Sequence, residues 1–320
     1  MEIDELLNRT NLRVPIERYL SILQQEFPQV RLIKSIQPIF EGYEDVNIIL
    51  NSDNGKYVLK IFATFRSEKN IKDYIKVIHE ARNIGVETLE LIQSKAGNDY
   101  FFYDNTYSII TKYFDGDNFV KTPPTLEEMS EVTKSLSKLN TLNFDIDETY
   151  DSWGNNNLAN EYSNTIVKDE GVKQSILPIV KYFENFDPYR FSKGVIHGDM
   201  QRKHVLKNKD KLCIIDYGCM RNDLKVYDLS TSLAWFCLGE DNWDQKEEIF
   251  KKVISEYTKI NPLSDEEIRS IKPLVTASYA AYYLKTQELI QQGDTSKETL
   301  NWHNSAKDLY FKSKIWSNLI

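Results

Sequence analysis

Hydrophobic and polar positions alternate in the first third of the chain and then change to a helical period. An amphipathic run from Ile16 to Phe27 predicts a helix, and the β-branched and aromatic stretches Val30 to Phe40, Tyr43 to Leu50 and Lys56 to Phe62 predict strands. The turn residues Ser52-Asp53-Asn54-Gly55 join the last two into a hairpin. A helix is predicted from about Glu68 to Asn83, with Ile71, Tyr74, Ile75 and Ile78 on one face and Gly85 beyond its end. Two more strands, Tyr100 to Tyr103 and Tyr107 to Tyr113, pair across Asp104-Asn105. From Thr125 onward the period is helical, over Leu126 to Leu142, Gln174 to Phe186, Leu229 to Leu238, Asp244 to Tyr257, Asp265 to Gln292 and Ser296 to Trp316. Turn residues at Asp115-Gly116-Asp117 place the boundary between a β-rich part, residues 1–115, and a helical part, residues 116–320.

The helical part is interrupted by V-I-H-G-D-M-Q-R-K-H-V-L, a polar turn at Asn208-Lys209-Asp210, and L-C-I-I-D-Y-G, followed by Y-D-L. Two short strands flank that turn, and each delivers an aspartate, Asp199 or Asp216, to one end of the hairpin. Phosphoryl transfer needs this pair of roles: one carboxylate to position the acceptor hydroxyl, and a second, at a D-x-G turn, to hold the metal ion against nucleotide phosphates. In this order the motifs resemble those of the aminoglycoside phosphotransferase and choline kinase superfamily, small-molecule kinases with a protein-kinase-like fold. The resemblance implies an α+β, two-lobed fold, with a small β-rich N-lobe, a larger helical C-lobe and a ligand cleft between them. It also implies ATP or GTP as phosphate donor, with Mg²⁺.

Site residues follow from the resemblance. Asp199 is the catalytic carboxylate and Asp216 a metal ligand. His204 stands where most members carry asparagine, and either binds metal as a softer nitrogen ligand or caps the turn. His197 organises the loop. Asp228 braces it, and at the head of the run from Leu229 its carboxylate could also bond first-turn N–H groups. Arg202 and Lys203 either stabilise phosphate charge or remain exposed loop cations. Lys60 in K-Y-V-L-K-I-F looks like the strand lysine that contacts phosphates, with Glu80 or Asp73, seven residues apart on one helical face, as its acidic partner. The single glycine of the phosphate-covering loop is Gly42, and the hinge strand, including Thr111 and Tyr113, offers backbone groups to a purine. The acceptor pocket is expected from the C-terminal helices. Gly239 to Asp244 and the aromatics Tyr279, Tyr282 and Tyr283 are its candidates.

Composition narrows the classes of partner. A net charge of −8 over 320 residues, with no Lys/Arg block, disfavours nucleic acid and anionic membranes and suits a cationic acceptor. Three cysteines without C-x-x-C spacing read as reduced thiols, and the four histidines make no zinc pattern. Met1-Glu2-Ile3-Asp4-Glu5 lacks the basic start and apolar core of a secretory signal, so the expected location is the cytoplasm. The reading is an O-phosphotransferase acting on a hydroxyl of a small molecule, such as an aminoglycoside or other antibiotic, homoserine, a choline-like amine or a sugar. The alternative is a nucleotide-binding pseudokinase without turnover; Asp199, Asp216 and Lys60 weigh against it. A protein kinase lacks support because no A-P-E segment is present and only a dozen residues separate Asp216 from Asp228.

Overall fold

Residues 3–147 and 149–319 are described by the computed structural model; Met1 and Glu2 of the acidic N-terminal stretch lie outside them. The chain forms two compact units, Met1–Arg82 with Thr88–Gly116, and Asn83–Glu87 with Asp117–Ile320.

The first unit holds α1 (Ile3–Leu7), α2 (Ile16–Glu26), β1 (Ile33–Ile39), β2 (Val46–Ser52), β3 (Gly55–Ile61), α3 (Glu68–Asn83), β4 (Phe101–Tyr103) and β5 (Thr106–Lys112). The strands make one antiparallel sheet in the order β1-β2-β3-β5-β4. Val46, Ile48 and Leu50 alternate with more exposed residues along β2, so one face of the sheet is apolar. Together with Leu59, Ile61 and Ile110 they pack against Tyr19, Leu23 and Phe27. The predicted strand at Tyr43 begins only at Val46, because residues 43–45 belong to a loop. Val30 likewise ends a 3₁₀ turn instead of starting a strand. α3 keeps its predicted bounds, and its start is fixed by reciprocal bonds of Ser67 and Asn70, each side chain accepting the other's backbone N–H.

The second unit holds β6 (Asp117–Asn118), α4 (Leu126–Leu139), α5 (Leu158–Asn164), α6 (Glu170–Glu184), β7 (Lys193–Ile196), β8 (Val205–Asn208), β9 (Lys211–Ile214), β10 (Arg221–Leu224), α7 (Lys225–Ser232), α8 (Lys246–Thr258), α9 (Asp265–Gln291) and α10 (Lys297–Trp316). Two small sheets interrupt the helices, β7 with β10 and β6-β8-β9. α9 is buried along most of its length, including Leu274, Tyr279 and Tyr282. Capping boxes set the starts of α4 and α9, Thr125 with Glu128 and Ser264 with Glu267. α7 continues into a π turn, Leu233–Cys237. No helix among the described residues is long and apolar enough to cross a membrane.

Candidate active site

β7 and β10 pair from Ile196↔Arg221 to Lys193↔Leu224, so H-G-D leaves the sheet edge as a loop just before hairpin β8–β9. Loop backbone away from a sheet needs partners for its N–H groups, and Asp228 supplies them. Its Oδ2 accepts the His197 N–H at 2.9 Å and its Oδ1 the Gly198 N–H at 3.0 Å. The carboxylate is fully buried, and Asn140 Nδ2 donates to Oδ2 at 2.8 Å while Asn140 Oδ1 accepts the Tyr257 hydroxyl. The helix carrying Asp228 begins at Lys225, four residues before the predicted Leu229. Asp228 therefore lies within the first turn, and its carboxylate bonds the loop instead of the N–H groups of its own helix. Gly198 has φ +82°, and a Cβ there would lie 2.3 Å from the Cys219 carbonyl oxygen, so only glycine fits.

His197 ties the loop to the far strand. Its Nε2 is 3.0 Å from the Ile215 carbonyl, an acceptor, so that nitrogen carries the proton and Nδ1 accepts the Asp199 N–H at 3.3 Å. Asp199 then projects with its Oδ1 bonded by Gln201 Nε2 and, at 3.2 Å, by the Tyr282 hydroxyl. Burial, reinforced by the charges of Asp199 and Asp151, pushes the Tyr282 phenol well above its ordinary range. It stays protonated and donates.

His204 lies between the two aspartates. Nδ1 is 2.7 Å from the Asp199 carbonyl and 3.4 Å from Asp199 Oδ2, while Nε2 is 3.6 Å from Asp216 Oδ2. Burial lowers the imidazole's pKa against the opposing pull of both carboxylates, favouring the neutral ring. With the proton on Nδ1, the Nε2 lone pair is turned toward a carboxylate oxygen. A divalent cation suits two such donors, and Asp216 with His204 would hold it. Among the described residues no group of three or more His, Cys, Asp or Glu side chains is arranged around a metal position. Such a metal would complete its shell with nucleotide phosphates and water, as Mg²⁺ commonly does. Asp216 has φ +63°, a left-handed conformation that aspartate tolerates better than most residues.

In the first unit, Lys60 Nζ lies 3.1 Å from Asp45 Oδ2 and 5.7 Å from the ring centroid of Tyr74, with both ionic side chains buried. Asp45 also accepts the Ala63 N–H and faces Arg66, so it is built into the fold. Sequence reasoning did not find Asp45, because its spacing to Lys60 across a hairpin has no fixed register before the strand bounds are known. Asp73 is buried and bonded by Lys69 at 2.9 Å. Glu80, two turns further along α3, makes no ion pair among the described residues. Gly42 has φ +92°, and its carbonyl accepts from Arg9 at 2.8 Å, which ties the loop to the N-terminal segment. Thr111 is buried in β5, where the stretch of edge beyond β4 is covered by residues 90–92 through Ile92 N–H to Ile110 and Lys112 N–H to Glu90. The Tyr113 N–H is bonded to the Lys56 carbonyl at 3.1 Å.

Arg202 does not stand free in the loop. It grips Asp241 with Nη1 and Nη2 at 2.6 and 2.9 Å and also bonds the Phe236 carbonyl. Lys203 lies over the Trp302 ring. Of the expected acceptor residues, Tyr279 is a core residue whose hydroxyl bonds the Ala234 carbonyl, and Tyr283 packs on His303 and Tyr310. Tyr282 alone of the three lines a narrow recess beside Asp199, together with Asp151, Trp153 and Trp235. Asn140 and Asp151 were missed from sequence, since no local motif announces a polar residue recruited from an unrelated helix or loop; Gln201 lies inside the quoted H-G-D-M-Q loop but was not singled out.

A model of the phosphotransferase enzyme family matches residues 35–252. The homoserine kinase of Mesorhizobium japonicum is 23% identical over 261 residues, covering 79% of this chain and 80% of that protein. Among solved structures, an amicoumacin kinase in complex with AMP-PNP, Ca²⁺ and amicoumacin superposes with a TM-score of 0.71 at 13% identity, covering 93% of this chain and 94% of that one. A choline kinase from Cryptosporidium parvum gives 0.63 at 14% identity, covering 96% and 98%. The fold is therefore the protein-kinase-like fold of these phosphotransferases, with a β-rich and a helical lobe.

Proposed function

The chain belongs to the phosphotransferase enzyme family and is a small-molecule kinase, and from that premise we propose that it transfers the γ-phosphate of ATP or GTP to a hydroxyl of a small molecule. The observation that carries the reading is the placement of His204 between Asp199 and Asp216, which separates a hydroxyl-orienting carboxylate from a metal-binding one on opposite sides of one ring. Asp199, held by Gln201 and Tyr282, receives the acceptor hydroxyl and accepts its proton as the oxygen attacks. His197 and Asp228 keep the loop in place. Asp216 and His204 hold a divalent metal, Mg²⁺ by the family's habit, whose charge neutralises the phosphates. Lys60 adds its cation to the phosphates, with Asp45 as structural counter-charge and Asp73 or Glu80 as partner once nucleotide is bound. Gly42 covers the phosphates and the backbone at Thr111 and Tyr113 meets the purine.

Homoserine, antibiotics and choline-like amines are acceptors of the similar kinases and are the first classes to test. The acidic chain and its reduced cysteines suit a cytoplasmic enzyme. The test is phosphate transfer from ATP and from GTP across these classes, with Asp199→Ala beside the wild type. Transfer should fall by roughly 10²–10⁴ in the variant with nucleotide affinity kept. Equal transfer by the variant would remove Asp199 from the role.

A further inference from the structure

Asp151, Trp153, Trp235 and Tyr282 wall the recess beside Asp199, and the space open to a water inside it is about 10 Å³, the room of a single molecule. The Tyr282 hydroxyl donates to Asp199 Oδ1 and accepts from Gln201 Nε2 at 2.8 Å, and the Asn155 amide donates to Thr231 Oγ1 and Ser278 Oγ at 3.4 and 3.0 Å. Trp235, Asp151 and Asp199 keep capacity for a further bond. Trp235 is 6% exposed, and its indole N–H has no hydrogen-bond partner among the described residues, which is costly for a buried donor. The π turn that carries it sets the indole against Tyr282, with ring centroids 4.4 Å apart. Asp151 is 7% exposed; its Oδ1 accepts the Trp153 N–H at 2.9 Å and the Cys219 thiol bonds the same carboxylate, so part of its roughly four lone-pair sites is used. Asp199 is bonded on Oδ1 by Gln201 Nε2 and the Tyr282 hydroxyl. The two carboxylates repel: burial pushes the Asp151 carboxyl up, the Arg221 guanidinium opposes the push, and the charge of Asp199 adds to it. Arg221 is itself bonded to Asp223 at 2.9 Å and to the Cys219 carbonyl at 3.2 Å, and among the described residues no Lys, Arg or His lines the recess.

Size and hydrogen-bonding needs together select the occupant. A ligand with a carbon skeleton has no room. A bare cation would suit the carboxylates but leave the indole N–H facing positive charge without an acceptor, and an anion would accept from the indole but meet two like charges. Water does all three things at once: it accepts from the indole and gives one hydrogen to each carboxylate, the roughly three bonds usual for a buried water. Resting on the reading of Asp199 as the residue that orients the acceptor hydroxyl, we infer that the recess seats one ordered water that accepts the Trp235 N–H and bridges Asp151 to Asp199, which makes Asp151 and Trp235 positioning residues for the reaction. Gln201 and Tyr282 hold one oxygen of Asp199, and a carboxylate pinned at a single oxygen can still turn. The bridging water adds a second anchor, keeps the two like charges apart, and leaves Asp199 a lone pair for the acceptor hydroxyl.

A high-resolution crystal structure of the wild type grown in a rubidium salt is the first test. One density peak is expected at about 2.7–3.2 Å from Trp235 Nε1 and from an oxygen of each carboxylate, without anomalous signal. A recess without density, or an anomalous Rb⁺ peak in it, overturns the inference. Steady-state kinetics with the acceptor that the wild type phosphorylates fastest then test the positioning role. Trp235→Phe keeps an aromatic ring but removes the donor, and should lower kcat by about five- to tenfold, the scale of one lost hydrogen bond, with the nucleotide KM unmoved. Asp151→Ala should cost a similar factor. Asp151→Asn should stay within about threefold of wild type, since an amide also bonds water and keeps an acceptor for the Trp153 N–H. Because both residues act through one water, the double variant Asp151→Ala/Trp235→Phe should be no slower than the slower single variant, whereas separate structural roles would multiply the losses. An unmoved kcat in Trp235→Phe, or multiplied losses in the double variant, overturns the positioning role. The reading of Asp199 fails separately: full transfer by Asp199→Ala removes that residue from its role whatever the density shows, and a recess without the water leaves that role standing.

Discussion

His204 is a proposed metal ligand that stands where the resemblance places an asparagine. An asparagine at that point gives a hard oxygen, whereas the imidazole gives Nε2, and its orientation is fixed because Nδ1 is bonded to the Asp199 carbonyl at 2.7 Å. Nitrogen ligands favour Mn²⁺ over Mg²⁺ relative to an all-oxygen set, since Mg²⁺ releases water reluctantly and prefers oxygen. The wild type should therefore work relatively better with Mn²⁺. His204→Asn should lower the ratio of the Mn²⁺ to the Mg²⁺ rate by about tenfold, the scale of a changed ligand contact. Steady-state rates with each metal at saturating concentration measure the ratio. An unchanged ratio would return His204 to a purely structural role. The motif letters named the residues that line this loop, yet they carried no information about the Tyr282 hydroxyl on Asp199, because that bond depends on where α9 passes, a long-range fact.

At the scale of elements, the parts that could be read from sequence were those in which period and end signal agree. α3 runs from Glu68 to Asn83 and α9 from Asp265 to Gln291, within one residue of expectation, because each has an apolar stripe and a capping residue at its start. α7 was misjudged for a physical reason: Asp228 resembles an N-cap, but its carboxylate is committed to the loop, so nothing stops the helix from starting at Lys225. The short strands β6 and β10 escaped notice, being too brief to show a period. The capping box of α9 gives a testable consequence. Glu267 accepts the Ser264 N–H at 2.7 Å and the Ser192 N–H and hydroxyl at 2.9 and 2.6 Å, joining the helix start to the segment before β7. Burial alone would raise its pKa, and these bonds outweigh it, leaving the carboxyl below its ordinary 4.5. A depressed folded-state pKa stabilises the protein above the unfolded value, and that contribution is lost as pH falls through the folded one. Ser264→Ala should cost about 1 kcal/mol at pH 7. Glu267→Gln should also be less stable than wild type at pH 7 in urea unfolding, with the gap closing below pH ~4. A gap that is constant with pH would mean that the carboxylate's charge contributes nothing there.

For the whole molecule, the proposed nucleotide and metal residues are tested through the stability that ligand binding adds to the fold. Fold class was legible because the switch from a two-residue to a 3.6-residue period divides the chain, whereas the recess beside Asp199 was not, because Asp151, Trp235 and Tyr282 come from a loop, a π turn and a helix with no common period. A ligand that binds only the folded state raises stability by RT ln(1 + [L]/Kd), about 2.7 kcal/mol at a hundredfold excess over Kd. For a chain of this length, that corresponds to a rise in Tm of roughly 4 °C. The non-hydrolysable analogue AMP-PNP with Mg²⁺ or Mn²⁺ should therefore produce a shift of that size, and removing the metal with EDTA should reduce it to a small residue. In Asp216→Asn the unliganded Tm should stay within about 3 °C of wild type, as for a surface substitution, because the Asp216 side chain is 38% exposed. The metal-dependent part of the shift should vanish. A full shift that survives both EDTA and Asp216→Asn would mean that the nucleotide is held without the metal, and the division of labour between Asp216 and Lys60 would have to be redrawn with the lysine carrying the phosphate charge alone.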